Sequence, residues 1–172
     1  MRVTLDVKME TRSMRRLAAI LFVVVSACAS DPVPEGYTGP LAAIRDSVVT
    51  EGRNKAEFFF ASEIDGKLIH DSLSATESRS YGKGFHMEIE IVERDIPVRP
   101  MRVKLEGRVA YSAPILKLAH LGSLYSACSI VEFEPVEGHT YIVKGKLTAS
   151  ASKVWLEDML DGQKVGRRIQ TQ

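Results

Sequence analysis

Strong charge of one sign is absent from this chain of 172 residues. Lys and Arg number 23 and Asp and Glu 22, but positions 1–27 hold five of the basic and two of the acidic side chains. The part from Cys28 onward keeps 18 basic and 20 acidic residues, a formal charge of −2. A domain so close to neutral has no field that draws it to nucleic acid, and no nucleic-acid partner is expected.

Catalytic motifs are also absent. The sequence has no Gly-x-Ser-x-Gly elbow, His-Glu-x-x-His, P-loop, Cys-x-x-Cys or Gly-x-Gly-x-x-Gly. Tyr81-Gly82-Lys83-Gly84 is too short to cradle a phosphate and predicts a loop. The sequence therefore assigns no catalytic, cofactor-binding or metal-binding residue and predicts no cofactor. The four histidines do not pair at metal-ligand spacing; they are His70, His86, His120 and His139.

The chain also lacks an apolar run long enough for a membrane-spanning helix. The run Leu17–Ala27 has eleven residues, whereas a spanning helix needs about 20. It follows the positive Met14-Arg15-Arg16, which is the order of a secretory signal peptide. We therefore interpret residues 1–27 as a signal peptide. Residues 1–13 are polar and add nothing to such a signal, so Met14 is an alternative start.

The end of the apolar run carries a more specific pattern. Val25-Ser26-Ala27-Cys28 resembles the lipobox of bacterial lipoproteins: an aliphatic residue, two small residues and a cysteine. The resemblance implies that the Cys28 thiol receives a diacylglyceryl group and that Cys28 becomes the acylated N-terminus. An aspartate after the cysteine would resemble the inner-membrane retention signal, so Ala29 favours the outer membrane, facing the periplasm. The alternative is plain secretion, with cleavage near Ala27-Cys28-Ala29.

Residues 28–40 are predicted to form a lipidated tether, because Ala29–Pro40 contains three prolines and two glycines. If Cys28 carries lipid, Cys128 has no partner within the chain for a disulfide. No Lys, Arg or His lies within three positions of Cys128. We therefore expect Cys128 to be a small, buried, structural thiol.

Residues 41–172 are predicted to form an all-β domain. Met101–Tyr111 alternates apolar and charged residues, and Met87–Ile91 does the same, so both runs are predicted to be strands. An antiparallel pair of these strands would place Glu88 and Glu90 opposite Arg102 and Lys104. The number and spacing of such runs predict an antiparallel sandwich of about eight or nine short strands, with one helical or loop insertion. The further strands expected are Ala42–Val49, Ala56–Ile64, Cys128–Glu134, Thr140–Leu147, Lys153–Asp158 and Lys164–Ile169.

Turns and insertions are read from local signals. Asp65-Gly66 and Asp161-Gly162 predict hairpins. Asp71–Ser80, with the cap pattern Ser74-x-x-Glu77, predicts one or two helical turns. Pro114–Tyr125 lacks alternation and is expected to be a long loop or a short helix.

A second resemblance lies near the C-terminus. Phe133-x-Pro135-x-x-Gly138-x-x-Tyr141-x-Val143-x-Gly145, followed by Val154-Trp155-x-Glu157-Asp158, is similar to small periplasmic lipoproteins with transthyretin- or immunoglobulin-like sandwiches. This resemblance implies the sandwich fold and no activity.

Two clusters are candidate sites. Glu157 and Asp158 follow Trp155, which indicates either a cation or sugar site, or the acids that commonly flank a hairpin. Trp155 is out of phase with its apolar neighbours, so it is expected on a less buried face that serves a partner, or under the Pro114–Tyr125 segment. His70-Asp71 is either an acid–base pair or a solvated loop, and His139 is expected in an exposed turn.

These observations favour a membrane-anchored, non-enzymatic envelope module that binds or scaffolds another component. Its partners would be membrane lipid through Cys28, and an envelope protein or the cell wall. The alternative is a small periplasmic enzyme or ligand carrier with a site that no motif reveals. An apolar pocket with converging histidine or carboxylate groups would favour the alternative.

Lipidation at Cys28 is directly testable. The full chain expressed in a bacterium should gain the mass of the attached acyl groups, because the Val25–Cys28 pattern directs thiol modification. The Cys28→Ala chain is the matched control and should lack this mass. Mass spectrometry of both mature proteins decides the question, and a wild-type mass without lipid would contradict the prediction.

Overall fold

A computed structural model of the protein describes residues 29–52, 55–112 and 125–169. Two β-sheets pack face to face with one short helix, which confirms the predicted all-β sandwich. The described residues form eleven strands rather than eight or nine, because two of the predicted strands are each divided between the sheets and Glu93–Pro97 forms a strand that the sequence did not predict. The elements are β1 Leu41–Arg45, β2 Ser47–Glu51, β3 Lys55–Ile64, β4 Lys67–Leu68, α1 Ser72–Ser80, β5 Glu93–Pro97, β6 Met101–Tyr111, β7 Ser126–Phe133, β8 Thr140–Lys146, β9 Lys153–Asp158, β10 Lys164–Val165 and β11 Arg167–Ile169.

The two sheets have defined strand orders. Sheet A runs β10-β9-β8-β1-β5, and sheet B runs β11-β7-β6-β3-β2 with β4 paired to β3. The strand pairs are antiparallel except for β1 and β8, which run parallel. This parallel pair departs from the purely antiparallel prediction. β1 lies between β8 and β5 and runs antiparallel to β5, and in this direction it is parallel to β8.

The core lies between the sheets and follows the predicted alternation. On β6, Met101, Val103 and Leu105 are buried, and the intervening charged side chains point away from the core. The alternation in the sequence therefore identifies the inward residues of β6 correctly. Elsewhere in the core, Gly145 allows Phe59 to fill the centre of the sandwich, because a Cβ at position 145 would lie 2.3 Å from the Phe59 ring.

The outer face of sheet B carries a second apolar cluster. Ala56, Phe58 and Phe60 lie on the side of β3 opposite Phe59, so this central strand is apolar on both faces as predicted. Leu73, from α1, packs on the cluster. The helix therefore covers part of the outer face of sheet B.

Helix α1 is confirmed within the predicted segment, but its cap differs. The carboxylate of Asp71 accepts hydrogen bonds from the Ser74 amide and the Ser74 hydroxyl, both 2.9 Å long. Asp71 is therefore the N-cap, and Ser74 supplies donors instead of starting the helix. The predicted Ser74-x-x-Glu77 cap was placed three residues too late.

Met87–Ile91 is not a strand, so the predicted pairing of Glu88 and Glu90 with β6 is wrong. The Thr76 hydroxyl on α1 accepts the Glu90 amide at 2.9 Å, so the segment bonds to helix side chains rather than to a neighbouring strand. The two carboxylates pair instead with Arg79, at 3.5 and 3.0 Å. Alternation alone does not distinguish this arrangement from a strand.

The chain passes from sheet A to sheet B at Asp46, between β1 and β2. This carboxylate is 1% exposed. It accepts hydrogen bonds from the Ala61 amide at 3.1 Å, the Ser72 amide and hydroxyl at 2.9 Å each, and Arg94 Nη2 at 2.6 Å. Burial raises the pKa of Asp46, against the opposing effect of the Arg94 charge. The Asp46–Arg94 ion pair therefore lies at the edge of the sandwich where the chain changes sheets.

The segment predicted as a tether lies against the domain. The Ser30 amide and hydroxyl donate to the Leu68 carbonyl at 2.8 and 3.0 Å, and the Val98 amide donates to the Pro40 carbonyl at 3.0 Å. The predicted signal peptide, Cys28 and most of Pro114–Tyr125 lie outside the described residues. No helix among the described residues is long and apolar enough to cross a membrane.

Loss of Arg94 is expected to destabilise the fold strongly. Arg94→Ala leaves the Asp46 carboxylate buried without its cation, which costs about 3–5 kcal/mol. The loss should shrink as the pH is lowered, because protonation of Asp46 removes the uncompensated charge. Denaturant melts at neutral and acidic pH measure both effects.

Arg79→Ala is the matched control, since it removes an arginine whose ion pairs are solvent-exposed. It should leave the free energy of unfolding nearly unchanged. Equal losses for the two variants would contradict the role assigned to the buried pair.

Candidate functional site

The outer face of sheet A carries the most distinctive group of exposed side chains. On β8 and β9, Val143 and Leu156 point into the core, so Lys144 and Trp155 point outward. Among the described residues no helix covers this face, because α1 packs on sheet B. We call the group the Trp155 face; it comprises Arg45, Lys144, Lys146, Lys153, Trp155, Glu157 and Lys164.

Trp155 is half-buried at the centre of this group and lies on the less buried face of β9. The alternative cover, the Pro114–Tyr125 segment, lies outside the described residues except for Tyr125. Its indole Nε1 donates to Glu157 at 3.2 Å, and Lys164 Nζ lies 4.2 Å from the ring centroid. Lys144 bonds to the same carboxylate. The hydrogen bonds from Lys144 and Trp155 lower the pKa of Glu157. The indole is therefore held in one orientation, with a cation over its ring.

Lys146 and Lys153 face each other across β8 and β9. Both are exposed, and neither forms an ion pair in the described parts of the chain. Like charges directly opposite on neighbouring strands are destabilising. A bound anion between the two ammonium groups would offset that cost, so this pair is a candidate anion-binding point beside Trp155.

Glu157 and Asp158 diverge, so they do not form the paired carboxylate site considered from the sequence. Asp158 points inward, and its Oδ2 accepts a hydrogen bond of 2.7 Å from His139 Nδ1. Burial alone would raise the pKa of Asp158, but the hydrogen bonds from His139 and the Leu160 amide lower it overall.

His139 is therefore half-buried and paired, not exposed in a turn as predicted. His139 and Asp158 are 19 positions apart, so the sequence does not reveal this contact. In the described parts of the chain no hydroxyl or thiol hydrogen-bonds to the other ring nitrogen, as a nucleophile activated by this histidine would. The geometry instead joins the turn before β8 to the end of β9.

The other histidines show no comparable arrangement. His70 and His86 are exposed, and Asp71 caps α1 instead of pairing with His70. His120 lies outside the described residues. Tyr81–Gly84 is a loop, as predicted, with Gly82 and Gly84 at positive φ. The described residues contain no group of three or more potential metal ligands.

Cys128 is exposed, which corrects the prediction of a buried thiol. Ser129, Val131 and Phe133 point into the core, so Cys128 lies on the outer face of β7, opposite Glu106 on β6. Both faces of β7 carry apolar residues at this end, and the sequence does not reveal which face is covered. Lys104, remote in sequence, is close enough to interact with the thiol.

A groove of about 460 Å³ lies between α1 and β6 on the outer face of sheet B. Leu73, Met87 and Ala110 supply its apolar lining, with one carboxylate from Glu77 and one cation from Arg108. The described residues bring no histidine to it. The groove therefore offers a recess without the converging acid–base groups that would indicate an enzyme.

No known protein family matches the chain, and none of the curated proteins or solved structures compared with it matches either. The similarity to transthyretin- and immunoglobulin-like lipoproteins therefore stays a prediction. The side chains of the described residues carry the functional argument by themselves.

The exposure of Cys128 predicts rapid labelling. In a chain carrying Cys28→Ala, Cys128 is the single thiol, and it should react with a bulky thiol reagent in the native state nearly as fast as after unfolding. Mass spectrometry over a time course measures the rate. The same chain with Cys128→Ser should take up no label, and labelling of Cys128 only in denaturant would contradict the exposed position.

Proposed function

We propose that this chain is a lipid-anchored protein of the bacterial envelope that acts as a non-enzymatic binding module. Cys28 would anchor it, with outer membrane attachment facing the periplasm, and the sandwich would be of the transthyretin- or immunoglobulin-like type. The binding surface in this proposal is the Trp155 face. The proposal rests on the lipobox-like Val25–Cys28 for the anchor and on the geometry of sheet A for the contact.

The Trp155 face, which no helix of the described residues covers, is the observation that carries the binding role. Tryptophan provides a large contact area with one polar edge, and it is frequent where proteins meet partners. Here Glu157 and Lys164 hold the ring in place, so little side-chain entropy is lost on contact. Lys146 and Lys153 form no ion pair in the described parts of the chain and add positive charge beside it, and Lys153 Nζ lies 5.7 Å from the centroid of the ring. A rigid aromatic flanked by cations suits recognition of a surface rather than turnover of a substrate.

The alternative function is a small periplasmic enzyme or ligand carrier. The His139–Asp158 hydrogen bond of 2.7 Å is the observation in its favour, because a carboxylate that orients a histidine recurs in acid–base catalysis. The groove between α1 and β6 lies on the outer face of sheet B, whereas this pair lies at the rim of sheet A. The groove and this acid–base pair are thus on different parts of the molecule, which favours the binding module. A larger cavity of about 620 Å³ beside β5 does bring His70 together with Glu93 and Asp95, and it is a second observation in favour of the alternative.

Site-specific photo-cross-linking in bacterial cells tests the binding surface. A photoreactive residue in place of Lys146, in the full chain, should give a light-dependent adduct with an envelope component, because this position is exposed beside Trp155. Electrophoresis followed by mass spectrometry measures the yield and the adduct.

The same photoreactive residue in place of Glu77, in the groove beside α1, is the matched control. We expect little adduct there, and we expect Trp155→Ala to reduce the adduct formed from position 146. An adduct formed from position 77 and not from position 146 would move the binding site to the groove and refute the proposed surface.

A further inference from the structure

We infer that the Trp155 face rests on the anionic phospholipid headgroups of the same membrane that carries the anchor. The inference deepens the proposed function and rests on it, since it takes Cys28 as the lipidated residue. Two independent features lead to it: the short chain between Cys28 and the domain, and the charge of the outer face of sheet A.

The first feature is the length of chain between the anchor and the folded domain. The Ser30 amide and hydroxyl are both bonded to the Leu68 carbonyl, at 2.8 and 3.0 Å. Two residue steps separate Ser30 from Cys28, and they span at most about 7 Å. A lipid on Cys28 would therefore hold the surface around Ser30 close to the bilayer. A free tether of twelve residues would allow the domain to lie further from it.

The chain leaves the domain at the edge of the sandwich, between β4 of sheet B, to which Ser30 is bonded, and β5 of sheet A. Residues 29–33 line a cavity of about 620 Å³ together with Glu93, Arg94 and Asp95 on β5. β5 is the edge strand of sheet A, and β9, which carries Trp155, lies three strands further across. Neighbouring strands are about 4.8 Å apart, so Trp155 is roughly 14 Å from that edge. A bilayer that meets the β5 edge can therefore also meet the whole outer face of sheet A.

The second feature is the balance of charge on this face. Five cations lie on it: Arg45, Lys144, Lys146, Lys153 and Lys164. Three carboxylates oppose them, those of Glu93, Asp95 and Glu157, and Glu93 and Glu157 are each paired with a cation. The face is thus positive on a chain that is otherwise slightly acidic from Cys28 onward. Positive side chains next to a lipid anchor strengthen attachment to an anionic bilayer.

The chemistry of the Trp155 side chain favours a membrane, rather than a soluble polymer, as the partner of the Trp155 face. Indole rings concentrate at the headgroup level of membranes, where an apolar body and a polar N–H are both satisfied. Lys164 lies over the Trp155 ring at 4.2 Å, so one ring face is already occupied and less open to stacking on a sugar. The anchor also keeps headgroups at a high effective concentration, and a modest patch is then enough for contact.

Trp155 is the single tryptophan of the chain and reports directly on this contact. We would reconstitute the full lipidated chain into vesicles of phosphatidylcholine, alone or mixed with phosphatidylglycerol, and measure the emission of Trp155 and its quenching by brominated lipid. The anionic vesicles should give a shift of emission to shorter wavelength and quenching about twofold or more stronger than the neutral ones. High salt should reduce the difference, because it screens exposed charges.

A charge-matched pair of variants isolates the lysines. Lys146→Gln with Lys153→Gln should abolish most of the difference between the two kinds of vesicle. Lys55→Gln with Lys83→Gln removes the same charge from sites remote from the Trp155 face and should leave the difference intact. Equal effects of the two pairs would indicate a response to net charge and would overturn the inference.

The possible failures are distinguishable. The mass of the mature chain reports the anchor, whereas the Cys28→Ala chain, mixed with the same anionic vesicles, tests the face without any anchor. A chain without lipid refutes the proposed anchoring even if its Trp155 responds to vesicles. A lipidated chain whose Trp155 gives the same signal in both vesicles refutes the inference. A response to heparin, used as a soluble anionic glycan, without a response to vesicles also refutes it and indicates a cell-wall polymer.

Discussion

The Asp46 carboxylate receives four hydrogen bonds from three different elements, and the positions of those elements depend on it. The donors are the Ala61 amide on β3, the Ser72 amide and hydroxyl on α1, and Arg94 Nη2 on β5. A buried charge is tolerated only when cations and donors satisfy it, so the three elements must meet at this point. The same point is where the chain changes from sheet A to sheet B.

This meeting point decides which sheet the helix covers. Because the first residue of α1 bonds to Asp46, the helix continues over the outer face of sheet B and packs on Phe58 and Phe60. The Ser72 hydroxyl also accepts the Val92 amide at 2.7 Å, which fastens the segment that leads into β5. Within the described ranges no helix covers the outer face of sheet A, and the Trp155 face lies there. The candidate site thus depends on a buried interaction on the other side of the core.

The His139–Asp158 pair is best understood as part of the same framework. It joins the turn before β8 to the end of β9, and these are the two strands that carry Trp155 and its lysines. The Ala43 amide donates to the His139 carbonyl at 2.9 Å, so β1 is attached at the same place. A histidine–carboxylate pair that fixes strand ends gives the Trp155 face a rigid base.

Local order was predictable from the sequence, because strand alternation and Asp-Gly turns depend on neighbouring residues alone. Hence the inward residues of β6 and the outward position of Trp155 were correct. Tertiary structure decided what alternation leaves open, namely which face another element covers. Cys128 is exposed because α1 packs on β3 rather than β7, and Met87–Ile91 is no strand because Thr76 takes its hydrogen bonds. The Asp46–Arg94 pair joins residues 48 positions apart, and only the folded chain brings such partners together.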